Sequence, residues 1–416
     1  MSRLKSWLSG GVVALSIAIA GTVGAQQPLK IGFGMSLTGP LAGNGKAALI
    51  SMEIWKDDVN AKGGILGRKV EFVYYDDQTN PSTVPSIYNK LLDVDKVDLV
   101  VSGYGTNVIA PAMPIMMQRN MVFMSLFGLN VNSKFDYDRY FQIMPAGPEP
   151  ALGWTEGFFA TAMALNPKPQ TVALVGADAE YPALALEGAR AQAKKAGLKV
   201  VYDKSYPPNT VDFSPIVRAI QATNPDLVFL ASYPPDSAGM VRAVNEVGLK
   251  ARMFGGGLVG PQFAALRTQL GPLLNGIVNY ESYTPEVAQQ FPFLEQFLAK
   301  YQTRAVKEGV DPLGYYLPPY SYAMMQVLEQ AIKATGGLDQ AKLADYMHKN
   351  EFDTFVGKVR FAKNGEWSVP RMLTVQYHGI SGNDLEQWKK PGHVTVLYPA
   401  NYKTGDVKSP YQDNKK

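Results

Sequence analysis

Cysteine is missing altogether and histidine occurs three times. The first absence removes disulfides, cysteine nucleophiles and thiolate metal sites together, and it suits an oxidising compartment where a stray thiol is a liability. His348, His378 and His393 all lie in the C-terminal quarter, away from the strand ends where a site is expected, so no metal or histidine base is assigned. Neither a Gly-x-Ser-x-Gly elbow nor a His-Glu-x-x-His run is present. Charge is sparse, at 18% of residues against 46% hydrophobic, a balance that excludes disorder. A long apolar run is also lacking: the stretch 12–20 is too short to span a bilayer.

That stretch follows Arg3 and Lys5 and precedes Val23-Gly24-Ala25, the pattern of a secretory signal with a small-residue cleavage site. A soluble, exported, periplasmic protein starting at Gln26 is expected, without a lipoprotein anchor because no cysteine follows the site. Removing Arg3 and Lys5 and no acid lowers the formal net charge from +4 to +2, which argues against nucleic acid as a partner.

At 416 residues the chain exceeds what one core usually organises, so two domains are expected. Strands at 29–35, 68–76, 98–102 and 122–125 alternate with helices at 47–62, 82–93 and 109–119, which implies right-handed βαβ units and a mainly parallel sheet. The run Met144-Pro145-Ala146-Gly147-Pro148-Glu149-Pro150 breaks the pattern and reads as a crossing into a second lobe. Alternation restarts at 171 and continues to a strand at 276–281. Three helical stretches without strands then occupy 287–308, 321–334 and 338–349, and helices without a sheet of their own must return to the first. The expected lobes are 28–145 with 280–355, and 146–279 with 356–398. Strands at 358–361 and 372–377 flank Lys363-Asn364-Gly365-Glu366, a hairpin signal. The polar tail after Tyr398 is expected to be mobile.

The organising stretch is 98–130, where two buried strands end in the small-polar loops Gly103-Tyr104-Gly105-Thr106-Asn107 and Ser125-Leu126-Phe127-Gly128-Leu129-Asn130. Loops after parallel strands gather at one carboxyl edge, where open α/β sheets bind ligands. These residues can hold a small polar molecule and cannot cut or transfer it. Tyr104, Phe127, Tyr181 and Tyr233 each follow an apolar strand closely and together suggest a ring-lined cleft between lobes. Rival motifs are weaker. Gly39 to Lys46 has Pro40 and Ala47 where a phosphate loop needs Gly and Ser or Thr. Gly255-Gly256-Gly257-Leu258-Val259-Gly260, with Glu281 further on, matches the dinucleotide fingerprint in form but follows the last strand-helix repeats of a lobe instead of opening one. Asp76-Asp77 sits at a strand end with no basic partner nearby in sequence.

Leu29-Lys30-Ile31-Gly32, Ser36-Leu37-Thr38-Gly39-Pro40-Leu41-Ala42, Gly63-Gly64-Ile65-Leu66-Gly67-Arg68-Lys69-Val70 and Tyr75-Asp76-Asp77 resemble the start of the leucine/isoleucine/valine-binding family of periplasmic proteins that feed ABC transporters. Phe355-Val356-Gly357-Lys358-Val359-Arg360-Phe361 with Asn364-Gly365 resembles its ending. The resemblance implies a type I periplasmic-binding fold, two parallel-sheet α/β lobes joined by three hinge crossings that close on a ligand. It implies no enzyme activity and no cofactor or metal. Its partners would be a small-molecule ligand and a membrane permease, and the protein would be a monomer. Carried over by motif, Asn44 belongs to the first ligand loop and Thr106 takes a carboxylate-contacting position beside Tyr104 and Asn107. Ser125, Phe127 and Gly128 form the second loop, and Tyr181 and Tyr233 come from the opposite lobe. Where amino-acid-binding members carry a glutamate for the ligand ammonium, this chain has Gly257, leaving Glu149 in the first crossing as the possible substitute. A small amino acid or related carboxylate is therefore expected, with an aromatic acid or amide lacking an ammonium as the alternative.

Overall fold

The computed structural model describes residues 27–415, so the expected signal at 1–25 lies outside the described residues. Five strands, β1 Leu29–Met35, β2 Val70–Asp76, β3 Leu99–Tyr104, β4 Phe123–Leu126 and β5 Tyr140–Gln142, form a parallel sheet in the order β2-β1-β3-β4-β5. A second sheet holds β6 Thr171–Ala177, β7 Lys199–Tyr206, β8 Leu227–Ser232, β9 Met253–Leu258 and β10 Val278–Glu281. After the short pair β11 Glu351–Thr354 and β12 Gly357–Arg360, the chain adds β13 Leu373–Tyr377 and β14 Val394–Tyr398 to that sheet, giving the order β14-β13-β10-β9-β8-β6-β7. Only β13, among its pairings there, runs antiparallel to both neighbours.

Periodicity explains the layers. Every residue of β3, β4, β8, β9 and β10 is buried, as expected of strands covered by helices on both faces. The helix Val84–Asp93 buries Val84, Tyr88 and Leu91, one stripe at helical spacing. The strandless helices return to the first sheet: Leu317–Thr335 packs along Ala42–Ala61 and over β4, with Trp55 Nε1 donating to Glu329 at 3.0 Å and Tyr322 OH to Asp58 at 3.0 Å. The chain thus passes between the sheets three times, after β5, after β10 and before β13.

One helix is unforeseen and two expectations fail, each for an identifiable reason. The proline-rich crossing ends in a 14-residue helix, Pro150–Met163, because Pro150 stands at the first helical position, where its missing N–H is harmless. The expected hairpin closes only as an antiparallel bridge, Phe361 to Trp367, around its turn, and the two strands do not pair: β12 pairs with β11, and β13 lies between β10 and β14. The turn between them docks on the first sheet instead, where Gly365 O accepts from Gln142 N at 2.8 Å, and a Cβ at Gly365 would sit 1.8 Å from Tyr140 O. The tail is anchored to the second sheet. Gln376 exchanges two hydrogen bonds of 2.8 Å with the backbone of Lys408, and Tyr411, buried against the ring of Phe254, donates its N–H to Ala251 O at 3.0 Å.

Candidate ligand-binding site

The carboxyl ends of both sheets face one another across a narrow cavity of about 20 Å³, room for about one water molecule, so a larger guest needs the walls to part. From the first sheet come Tyr104 at the end of β3, Gly105 and Thr106 just after it, and Phe127 and Leu129 after β4. Tyr181 follows β6, Tyr233 follows β8 and Val259 follows β9. Met144 of the first crossing, Trp154 of the helix Pro150–Met163 and Tyr316, just before the helix Leu317–Thr335, complete the wall.

The rings form a connected chain. Tyr233 meets Tyr181 at 5.7 Å, Tyr181 meets Trp154 at 5.9 Å, and Trp154 meets Tyr280 at 4.3 Å between centroids. Tyr280 then meets Tyr316 at 5.9 Å, and Tyr316 takes Tyr104 at 6.0 Å and Phe127 at 5.3 Å. Their hydroxyls join the lobes as well. Tyr104 and Tyr316 share a 3.1 Å hydrogen bond, and Tyr280 OH donates to Tyr316 at 3.4 Å. Tyr181 OH donates to Gly257 O at 2.8 Å, while Thr106 Oγ1 accepts from Leu129 N at 3.1 Å. The Trp154 indole N–H approaches Tyr181 OH, and the Tyr233 hydroxyl approaches the Tyr181 backbone, both outside hydrogen-bond geometry. Burial pushes the Tyr104, Tyr181 and Tyr280 phenols well up and that of Tyr316 to about 12, so all four stay neutral. The lining contains no ionisable acid or base other than the phenols of Tyr104, Tyr181, Tyr233 and Tyr316.

Of the residues expected at the site, Tyr104, Thr106, Phe127, Tyr181 and Tyr233 line the cavity. Asn44 is buried in the first turn of its helix with neither carboxamide atom hydrogen-bonded, and Asn107 Oδ1 is likewise buried without a partner; both stand outside the lining. Ser125 lies behind the wall, its Oγ accepting from Tyr140 OH at 3.0 Å, and Gly128 turns its carbonyl to Gln142 Nε2 at 2.7 Å. Glu149 is exposed at the start of the helix Pro150–Met163 and does not line the cavity. Gly257 lies beneath Tyr181: a Cβ there would come within 3.1 Å of the tyrosine hydroxyl and 3.0 Å of Leu230 O, so a side chain at this position would have to push its neighbours aside.

The rival motifs have structural explanations. Gly255, Gly256 and Gly257 are interior residues of β9 and open no helix; a Cβ on Gly256 would meet the Phe229 ring at 2.4 Å. Glu281 is buried against Arg267 and accepts from Tyr377 OH at 2.6 Å, so it is spent on an ion pair. Asp77 takes Ser36 Oγ at 2.6 Å and Asp76 takes Leu37 N at 3.0 Å, clamping the loop after β1. Sequence reasoning misses Trp154, hidden in a helix that the prolines mask, and Tyr316. The pair Tyr315-Tyr316 just before Pro318 and Pro319 was the available signal for the latter.

The sequence profile of the family described as periplasmic binding protein matches residues 28–378. An amino acid binding protein of Pseudomonas aeruginosa is 26% identical over 372 residues, covering 87% of this chain and 95% of that protein. Among solved structures, the branched-chain amino acid transporter substrate binding protein of Streptococcus pneumoniae in complex with isoleucine has a TM-score of 0.70 at 18% identity, over 89% of this chain and 100% of that one. A solute binding protein of an ABC transporter from R. palustris in complex with benzoate has a TM-score of 0.70 at 16% identity, over 89% and 95%. At these identities the two structures establish a shared fold and leave the ligand open; the α/β architecture with parallel-sheet lobes expected from the sequence is the one they share. By profile and by fold, this chain belongs to the periplasmic binding protein family.

Proposed function

We propose that this chain is an exported, monomeric solute-binding protein that encloses a small, ring-bearing carboxylic acid without an ammonium group and delivers it to an ABC permease. No bond is made or broken. One observation carries the ligand class: a narrow cavity between the sheets walled by rings, with hydroxyl and indole donors and no ionised acid. An ammonium enclosed there would lack a counter-charge, which costs several kcal/mol. A carboxylate needs donors, and Thr106, Trp154 and the tyrosines offer them. The fold is compatible with either ligand class, since the R. palustris protein holds benzoate and the Streptococcus pneumoniae protein isoleucine.

In this reading the lobes expected from the sequence, 28–145 with 280–355 and 146–279 with 356–398, rotate about the three crossings. Ligand touching both lobes favours the closed state. Cleavage near Ala25 is part of the proposal, and mass spectrometry of the protein recovered from the periplasm checks it. Isothermal titration with matched pairs tests the ligand class: benzoate against phenylalanine, and cyclohexanecarboxylate against leucine. The acids are expected to bind at least about tenfold more tightly than their amino-acid partners, ~1.4 kcal/mol. Tighter binding of phenylalanine or leucine would overturn the proposal.

A further inference from the structure

We infer that Gln142, which does not line the cavity, is the positioning residue that sets its first-lobe wall. This rests on the cleft being the ligand site. Gln142 ends β5, is fully buried, and stands one layer behind the loop after β4. Its Oε1 accepts from Phe127 N at 3.0 Å and from Met144 N at 3.1 Å. Its Nε2 donates to Gly128 O at 2.7 Å and lies 2.8 Å from Tyr140 OH and 3.2 Å from Ser125 Oγ. Two of the residues held this way, Phe127 and Met144, line the cavity.

The tie acts against a backbone preference. Phe127 has φ +60°, a left-handed conformation that a bulky residue adopts only when its surroundings impose it. That conformation presents the ring to Tyr316 at 5.3 Å and to Tyr320 at 5.2 Å. A carboxamide is the side chain that supplies an acceptor for the Phe127 and Met144 amides and a donor for the Gly128 carbonyl at once. A carboxylate in its place keeps the acceptor and faces the Gly128 carbonyl with no donor. A thioether supplies neither. Gln142 therefore acts on ligand affinity through the Phe127 ring.

The experiment uses the full chain with 4-fluorophenylalanine at position 127, read by fluorine NMR without ligand and by titration with benzoate, at pH 5 and pH 8. Wild type at both pH values is the reference, because the buried Glu366 lies near Tyr140 and titrates too. Gln142→Glu is expected to shift or broaden the fluorine signal at pH 8 and weaken benzoate at least tenfold. At pH 5 the buried carboxyl takes a proton and regains a donor, and both readouts return to within about threefold of wild type. Gln142→Met is expected to be impaired equally at both pH values. If either variant fails to fold at pH 8, the Glu variant prepared at pH 5 and raised stepwise shows the transition. An unchanged fluorine signal in both variants, or an altered signal with unchanged affinity, overturns the inference. Failure of wild type to bind benzoate would count against the proposed ligand class alone, since the fluorine readout needs no ligand.

Discussion

Glu149 is the acid that the sequence offers to a ligand ammonium, yet it is exposed and outside the cavity lining. Glu149→Gln is therefore expected to change affinity for the best ligand less than about twofold in isothermal titration, since an exposed charge is worth little; a hundredfold loss would restore the amino-acid reading. Glu366 behaves differently. Burial holds its carboxyl well above the usual range, and neither oxygen has a hydrogen-bond partner. The folded protein keeps a proton that the unfolded chain gives up above about pH 4.3. Stability is thus fully present below that pH and is lost as pH rises toward the elevated folded value. Replacing the carboxyl by an amide removes the slope. Thermal unfolding should show Glu366→Gln gaining more over wild type at pH 8 than at pH 5; equal gains at both would refute the assignment.

At the scale of elements, β9 shows how a motif can be read wrongly. Its Gly-Gly-Gly run matches the dinucleotide fingerprint in form because a line of sequence shows glycines without showing what they face. In the sheet, Gly256 makes room for Phe229, and Phe158 would stand 3.2 Å from a Cβ there. Gly256→Ala is expected to destabilise the fold by roughly 1–3 kcal/mol through overpacking and the strain of a φ of +101°, measurable by urea unfolding; a neutral result would mean that the rings move aside and the backbone relaxes. The alternation of β1 to β4 and β6 to β10 with helices was legible because the central strands are short apolar runs and helices such as Val84–Asp93 show a buried stripe. The three-residue β5 and the helix Pro150–Met163 were not: the first has too few residues to show a period, and the second opens with a breaker.

For the whole molecule, the hinge reading makes a measurable claim. Small-angle scattering should give a smaller radius of gyration with saturating ligand than without, because closure brings the lobes together; no change at saturation would argue against it. The tail adds a claim about stability. Truncation after Tyr398 removes Tyr411 and its packing on Phe254, so the melting temperature should fall, by several degrees if the loss approaches the ~3 kcal/mol of a large buried ring; an unchanged value would mean that the anchor contributes nothing. By itself the sequence determined the α/β class, the family, the two loops after β3 and β4, and the tyrosines after β6 and β8. Periodicity and strand-end position are local properties, carried by neighbours along the chain. Only the tertiary structure decided that Trp154 and Tyr316 complete the cavity, that Glu149 stays outside it, that Gln142 stands behind Phe127, and that the tail is docked. Each of these depends on which distant segments meet, and a chain with three crossings brings together residues whose separation in sequence gives no sign of it.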